Sequence, residues 1–71
     1  MKQFTATVQR EGNLFVAQCV ELDIASQGVS QSEAMENLKE AVELFLETAS
    51  PSEIEQRLAS GASVTSFAVA A

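Results

Sequence analysis

Cys19, Glu21 and Asp23 are the residues whose types and spacing suggest chemistry, since a thiol and two carboxylates alternate along the chain there. A cysteine attacks a substrate as its thiolate, which normally needs a neighbouring base, and the chain contains no histidine or tyrosine. Cys19 also lies inside the apolar run 14–20. We therefore expect a buried structural thiol rather than a nucleophile.

Glu21 and Asp23 allow two interpretations. Together with carboxylates of a helix they would form a divalent-metal hydrolase site, although a metal-dependent nuclease normally gathers more acidic groups. As two acids flanking Leu22 at a strand end, they are ordinary loop residues. One cysteine without histidine offers no zinc site, and no glycine belongs to a phosphate-binding loop. We expect no catalytic residue, no metal and no cofactor, and thus no enzyme.

The length of 71 residues fits a single domain, 1–71, because so few side chains cannot build a second hydrophobic core. A chain this short usually gains only about 3–5 kcal/mol net from its core, and natural examples add disulfides, metals or partner subunits. A single cysteine excludes an internal disulfide. A homo-oligomer, a dimer or higher, is therefore the default expectation.

The net charge of −6, from ten acidic and four basic residues, limits the class of partner. This charge repels a phosphate backbone, so we expect no direct binding of nucleic acid, and it favours encounter with a basic protein. Solubility alone would explain the same charge. The first residues form no signal peptide or membrane span, which together with the unpaired thiol predicts a cytoplasmic protein without membrane contact.

Hydrophobic periodicity predicts an α+β fold. Residues 3–9 alternate as a half-buried strand, and 14–20 return as a central strand after a turn at 10–13 with a glycine able to take positive φ. Residues 24–28 give a short third strand that ends at a glycine turn. Residues 62–71 alternate again, which indicates either a final strand or a fraying tail.

The first helix is predicted over 31–48. Ser30 and Glu33 form a capping box, in which the Ser30 hydroxyl accepts from the Glu33 amide and the Glu33 carboxylate reaches back. The apolar face, which should pack on one face of an antiparallel sheet, comprises Ala34, Met35, Leu38, Ala41, Val42, Phe45, Leu46 and Ala49. The opposite side, called the acidic face below, comprises Glu36, Lys39, Glu40, Glu43 and Glu47. The acidic face is either a docking surface or a solvated helix face.

A second, shorter helix is predicted after Ser50, the N-cap, with Pro51 at the first helical position. We expect Glu53 to pair with Arg57 at i,i+4, and Gly61 to end the helix as a left-handed cap. The inward-facing residues should be Ile54 and Leu58. The predicted order of elements is then β-β-β-α-α-β.

The order of these parts resembles the HicB antitoxin family over residues 4–47. The shared features are an alternating hairpin, a Cys-x-Glu-Leu corner at 19–22, a Ser-Gln-Gly turn at 26–28, and Glu-Ala-x-x-Asn-Leu-Lys-Glu-Ala at 33–41 followed by Leu-Phe-Leu-Glu at 44–47. Val20 stands where members commonly carry proline, which leaves the corner less rigid. Many members append a ribbon-helix-helix or helix-turn-helix segment that binds an operator. The chain shows no such segment, so we expect no autoregulation by it alone.

The resemblance implies a β-β-β-α-β arrangement similar to a degraded RNase H-like fold without its catalytic carboxylates. It also implies inhibition of a small basic RNA-cleaving toxin (HicA) by occlusion of the toxin's active site. The candidate contacts with such a partner are Glu21, Leu22, Asp23, Glu36, Glu40 and Glu43. The alternative is a stand-alone oligomeric domain of the same fold with no toxin partner, in which strand edges and the tail pair between copies.

Overall fold

The computed structural model describes residues 3–59 and 66–70 and shows a small α+β fold. The strands are β1 (Ala6–Glu11), β2 (Leu14–Cys19) and β3 (Ile24–Gly28), and the helices are α1 (Gln31–Thr48) and α2 (Pro51–Leu58). The strands form an antiparallel sheet in the order β1-β2-β3. α1 lies mainly over β3 and β2 and reaches β1 only marginally. The predicted antiparallel sheet with the main helix on one face is confirmed.

The hairpin between β1 and β2 begins later and turns more tightly than predicted. β1 spans Ala6–Glu11 rather than 3–9. The turn contains only Gly12 and Asn13, because the two polar residues before them still pair with β2. Polar residues are tolerated there since β1 is an edge strand of the sheet. Gly12 has a φ of 61°, the left-handed conformation predicted for the turn glycine.

β2 is the central strand, as its apolar run predicted, although it ends at Cys19 and not at residue 20. Ala17 and Cys19 are buried in the core beneath α1, which confirms a packing role for the thiol. β3 has the predicted bounds. Its last residue, Gly28, lies so close to α1 that a Cβ atom there would sit 2.6 Å from the Ala34 nitrogen. A side chain does not fit at this strand end.

α1 has the predicted bounds, and its apolar face packs on the sheet. The hydrophobic core consists of Ala17, Cys19, Leu22, Ala34 and Leu38. At the start of α1 the Ser30 hydroxyl accepts from the Glu33 amide at 3.1 Å, as predicted. The Glu33 carboxylate accepts from the Val29 amide at 3.2 Å, one residue before the N-cap that the capping box predicted. This contact fixes the chain at its entry into the helix.

α2 begins as predicted and ends earlier. The Ser50 hydroxyl accepts from the Glu53 amide at 3.2 Å, and proline occupies the first turn. The helix ends at Leu58 with Ala59 as the C-cap, so the predicted end at Gly61 is wrong. The Ala59 amide already closes the last turn by donating to a helix carbonyl, and no glycine is required. Gly61 itself lies outside the described residues.

The side chains of α2 depart from prediction at two positions. Leu58 is 41% exposed and does not face inward, whereas Ile54 is half-buried as expected. Arg57 donates to the Leu22 carbonyl oxygen at 2.9 Å instead of pairing with Glu53. An exposed i,i+4 ion pair contributes little, so a partly buried carbonyl elsewhere in the fold competes successfully for the guanidinium.

Residues 66–70 form no regular secondary structure and are exposed. The final strand of the predicted β-β-β-α-α-β order is therefore not found in them, and the rest of the predicted 62–71 strand lies outside the described residues. An alternating pattern shows which side chains would share a face, but a strand is stable only when its backbone pairs with another strand. Across residues 3–59 and 66–70, the helices are too short or too polar to cross a lipid bilayer.

Candidate partner-binding surfaces

The segment between β2 and β3, residues 20–23, forms a tight corner. Asp23 takes a left-handed conformation with a φ of 54°, and its amide donates to the Cys19 carbonyl at 2.9 Å. Aspartate adopts this conformation more readily than most residues because its short polar side chain bonds locally. The Asp23 carboxylate here accepts from the side-chain amide of Gln18 at 3.0 Å. Hydrogen bonds thus fix the corner without a proline at Val20.

Glu21 fastens the corner to the start of β1. Its carboxylate accepts from the Thr5 backbone amide at 2.8 and 3.0 Å and from the Thr5 hydroxyl at 2.9 Å. The backbone hydrogen bond from Thr5 lowers the pKa of Glu21, against a smaller opposing effect of desolvation. The carboxylate therefore stays ionised at neutral pH and is engaged by the backbone. This arrangement does not suit a general acid, which must hold a proton near the working pH.

Leu22 is fully buried beneath the corner, and α2 docks above its backbone. The guanidinium of Arg57 bonds to the Leu22 carbonyl and lies 5.1 Å from the centre of the Phe45 ring. Sequence reasoning missed this role, because helical spacing assigned the arginine to Glu53. Of the three predicted corner contacts, Asp23 is exposed, Glu21 is half-buried and Leu22 is buried.

Three carboxylates of the acidic face lie together on the exposed side of α1, as helical spacing predicted. Glu36, Glu40 and Glu43 are exposed and, with Lys39, line a shallow depression of about 260 Å³. Carboxylates three and four residues apart repel one another unless cations lie near them. Cations near this depression would relieve the repulsion, and a solvated helix face has the same composition.

An open apolar groove of about 470 Å³, called the β1–α1 groove below, lies between the start of β1 and α1. Its apolar walls are Phe4, Ala6, Cys19, Met35, Leu38, Val42 and Leu46. The lining also includes Thr5, which holds Glu21, and Lys39 and Glu43 of the acidic face. The two regions predicted to contact a partner therefore border one groove. The sequence did not reveal it, because periodicity shows which residues face a sheet and not how far the sheet extends beneath them.

The side chains of Cys19, Glu21 and Asp23 do not converge on one site. Within residues 3–59 and 66–70, no three histidine, cysteine, aspartate or glutamate side chains come together as a metal-binding group. Glu21 and Asp23 bind different partners, Thr5 and Gln18, so the corner does not converge on one ion. The Cys19 thiol is 2% exposed and its nearest polar contact is a weak one to Glu21 at 3.9 Å. The thiol is therefore almost completely covered, at the base of the β1–α1 groove.

Comparisons of the chain with protein-family models, with curated proteins and with solved structures find no match. The chain offers three surfaces on which another protein could bind. They comprise the exposed Asp23, the acidic face and the β1–α1 groove.

Proposed function

We propose that the chain is a non-catalytic antitoxin-type binding module that neutralises a small basic RNA-cleaving toxin by occluding its active site. The exposed row of Glu36, Glu40 and Glu43 carries this proposal, in a chain of net charge −6. An active site that cleaves RNA must attract phosphate with basic side chains, and the same side chains attract carboxylates. The resemblance of residues 4–47 to HicB antitoxins supports a HicA-like ribonuclease as the partner.

The proposed contacts fall into two groups. Glu36, Glu40 and Glu43 would meet the toxin first, and Asp23 would add a contact from the corner. Leu22 is buried and the Glu21 carboxylate is bonded to Thr5, so both residues shape the corner rather than meet the toxin directly. We therefore expect the six predicted residues to contribute unequally to toxin binding.

The proposed function also determines where the chain acts and which class of molecule it binds. It would act in the cytoplasm, where a ribonuclease finds RNA and an unpaired thiol stays reduced. It would bind protein and not nucleic acid, because its charge repels phosphate. The three-stranded antiparallel sheet with one main helix is compatible with a degraded RNase H-like fold, and that similarity belongs to the proposal.

The test is charge reversal on the acidic face. The small basic protein encoded beside this chain's gene would be purified, and its cleavage of a fluorescent RNA titrated with the chain. The double variant Glu40→Lys/Glu43→Lys should weaken inhibition by at least about tenfold, because a lysine at each position would repel the basic side chains that the glutamate attracts. The matched control is Glu11→Lys/Glu55→Lys, which alters net charge equally on exposed positions of β1 and α2.

Equal loss in both double variants would show that only net charge matters and would remove the acidic face from the interface. The proposed antitoxin function would be contradicted by a neighbouring protein that does not cleave RNA, or by one that the wild-type chain does not inhibit. The stand-alone oligomeric domain would then be the better hypothesis, and the open β1–α1 groove favours it.

A further inference from the structure

One side of the sheet ends without a neighbour. β1 is an edge strand that pairs only with β2, and the described residues place no strand against its free edge. The β1–α1 groove lies beside the start of this strand, where α1 packs only marginally against β1. Free backbone donors and acceptors next to an apolar trough form a site for an extended segment with alternating side chains.

The chain itself contains a segment of that kind. Residues 66–70 are exposed and in no helix or strand, and they carry no charged side chain. Phe67 and Val69, two residues apart, are 86% and 73% exposed, the highest values among the large apolar side chains that the structure describes. In an extended conformation both would point to one side, and Ser66, Ala68 and Ala70 to the other.

We propose that the β1–α1 groove and the free edge of β1 receive the 66–70 segment of a second copy of this chain. The segment adds a strand to the sheet, with Phe67 and Val69 entering the groove towards Met35, Val42 and Leu46. Each copy has one groove and one segment, so exchange between two copies leaves neither unfilled and closes a symmetric dimer. In the single chain the segment stays exposed and the groove stays open.

Charge favours this segment as the contact between copies. Two chains of net charge −6 repel each other over most of their surfaces, and the groove rim already carries Glu43 beside Lys39. A segment without charged side chains approaches that rim without adding a like charge. The apolar walls of the groove then provide the attraction through burial of an aromatic ring and a branched side chain. This inference does not rest on the existence of a toxin.

The first measurement is the mass of the full chain in solution, by sedimentation velocity over a range of concentrations. We expect a dimer for the wild type and a shift of at least about tenfold in the dimer dissociation constant for Phe67→Asp, because a buried charge replaces an apolar ring. The matched control is Val29→Asp, since Val29 is 68% exposed and lies outside the groove. Circular dichroism checks that both variants keep the fold.

The second measurement identifies which chain fills the groove. In a sample that mixes carbon-13-labelled and unlabelled chains, filtered nuclear Overhauser effects should connect the Phe67 ring of one copy to Val42 and Leu46 methyls of another. The same contacts within a single chain, in a monomer, would overturn the proposal in favour of closure by the chain's own segment. A monomer without these contacts, or a dimer equally weakened by both aspartate variants, would also overturn it.

Discussion

The Nη1 atom of Arg57 lies 2.9 Å from the carbonyl oxygen of Leu22, which precedes it by 35 residues. The same guanidinium lies over the ring of Phe45 in α1. One side chain therefore joins α2 to the corner between β2 and β3 and to the end of α1. The corner has a buried leucine below its backbone and an arginine above it, and this arrangement makes the position of α2 testable.

Replacing Arg57 by alanine should lower the free energy of unfolding by about 2–4 kcal/mol, the sum of a charged hydrogen bond and a partly exposed cation–π contact. Amides of α2 should exchange with solvent faster as the helix detaches. Arg10→Ala is the control. This substitution removes the same charge, but the Arg10 side chain bonds to Gly12 in the adjacent turn and not to another element. Urea unfolding and hydrogen exchange measure both effects, and equal losses in the two variants would contradict the docking role.

Leu22→Ala should cost about 2–5 kcal/mol, because it leaves a cavity in a small core. Leu22 is fully buried, and the matched control Leu44→Ala changes a leucine that is 60% exposed on α1, where we expect a change within about 0.5 kcal/mol. Thermal unfolding followed by circular dichroism distinguishes the two. A Leu22 variant as stable as the control would mean that the corner side chain is accessible to a partner after all.

The stability of the chain should depend on pH through Glu21. Because the folded state lowers the pKa of Glu21 below its ordinary value of 4.5, the Thr5 contact stabilises the fold above that pH. The contribution is lost as the pH falls through the lower, folded-state pKa. Glu21→Gln should therefore be less stable than the wild type at neutral pH and lose less stability on acidification. Urea unfolding across this pH range measures the difference.

Glu55→Gln removes the same charge without touching Thr5 and serves as the control for that series. Between neutral and acidic pH, the free energy of unfolding of Glu55→Gln should fall as steeply as that of the wild type. If Glu21→Gln gives the same slope as Glu55→Gln, the Thr5 contact does not govern acid stability.

Gly28→Ala should destabilise the chain by about 1–3 kcal/mol, because the added methyl group overlaps the first turn of α1 and forces the helix from β3. The Cβ atom would meet the Ala34 nitrogen and the Glu33 backbone at 2.6 and 2.9 Å. The comparison is Gly12→Asn at the hairpin turn, where nothing lies within 4 Å of an added Cβ atom. Asparagine tolerates the left-handed conformation there, so we expect a loss under about 1 kcal/mol. Chemical denaturation of both variants tests the contrast.

The sequence predicted most of the fold because its signals are local. The capping serines at positions 30 and 50 and the helical apolar spacing gave the starts of both helices and the full extent of α1. The predicted bounds of β1 were wrong at both ends. At its end, polar residues of an edge strand resemble a turn. At its start, the alternating pattern continues through residues that do not pair regularly with β2. There the Thr5 carbonyl accepts from Val20 while its amide goes to Glu21.

The candidate surfaces were predictable only in part. Helical spacing alone placed Glu36, Glu40 and Glu43 on one exposed face. The burial of Leu22 and the docking of Arg57 depend on contacts between residues far apart in the chain, which neither spacing nor composition reports. The β1–α1 groove likewise depends on how little of β1 is covered by α1.

The order β1-β2-β3 also governs how the chain finds its structure. Each strand pairs with its neighbour in sequence, across two residues in the hairpin and four in the corner, so the sheet forms by closing short loops. Short loops have a small closure entropy, and folds rich in local contacts form fast. The bond from Arg57 to Leu22 closes a far longer loop. We therefore expect the sheet and α1 to fold as an early unit onto which α2 settles afterwards.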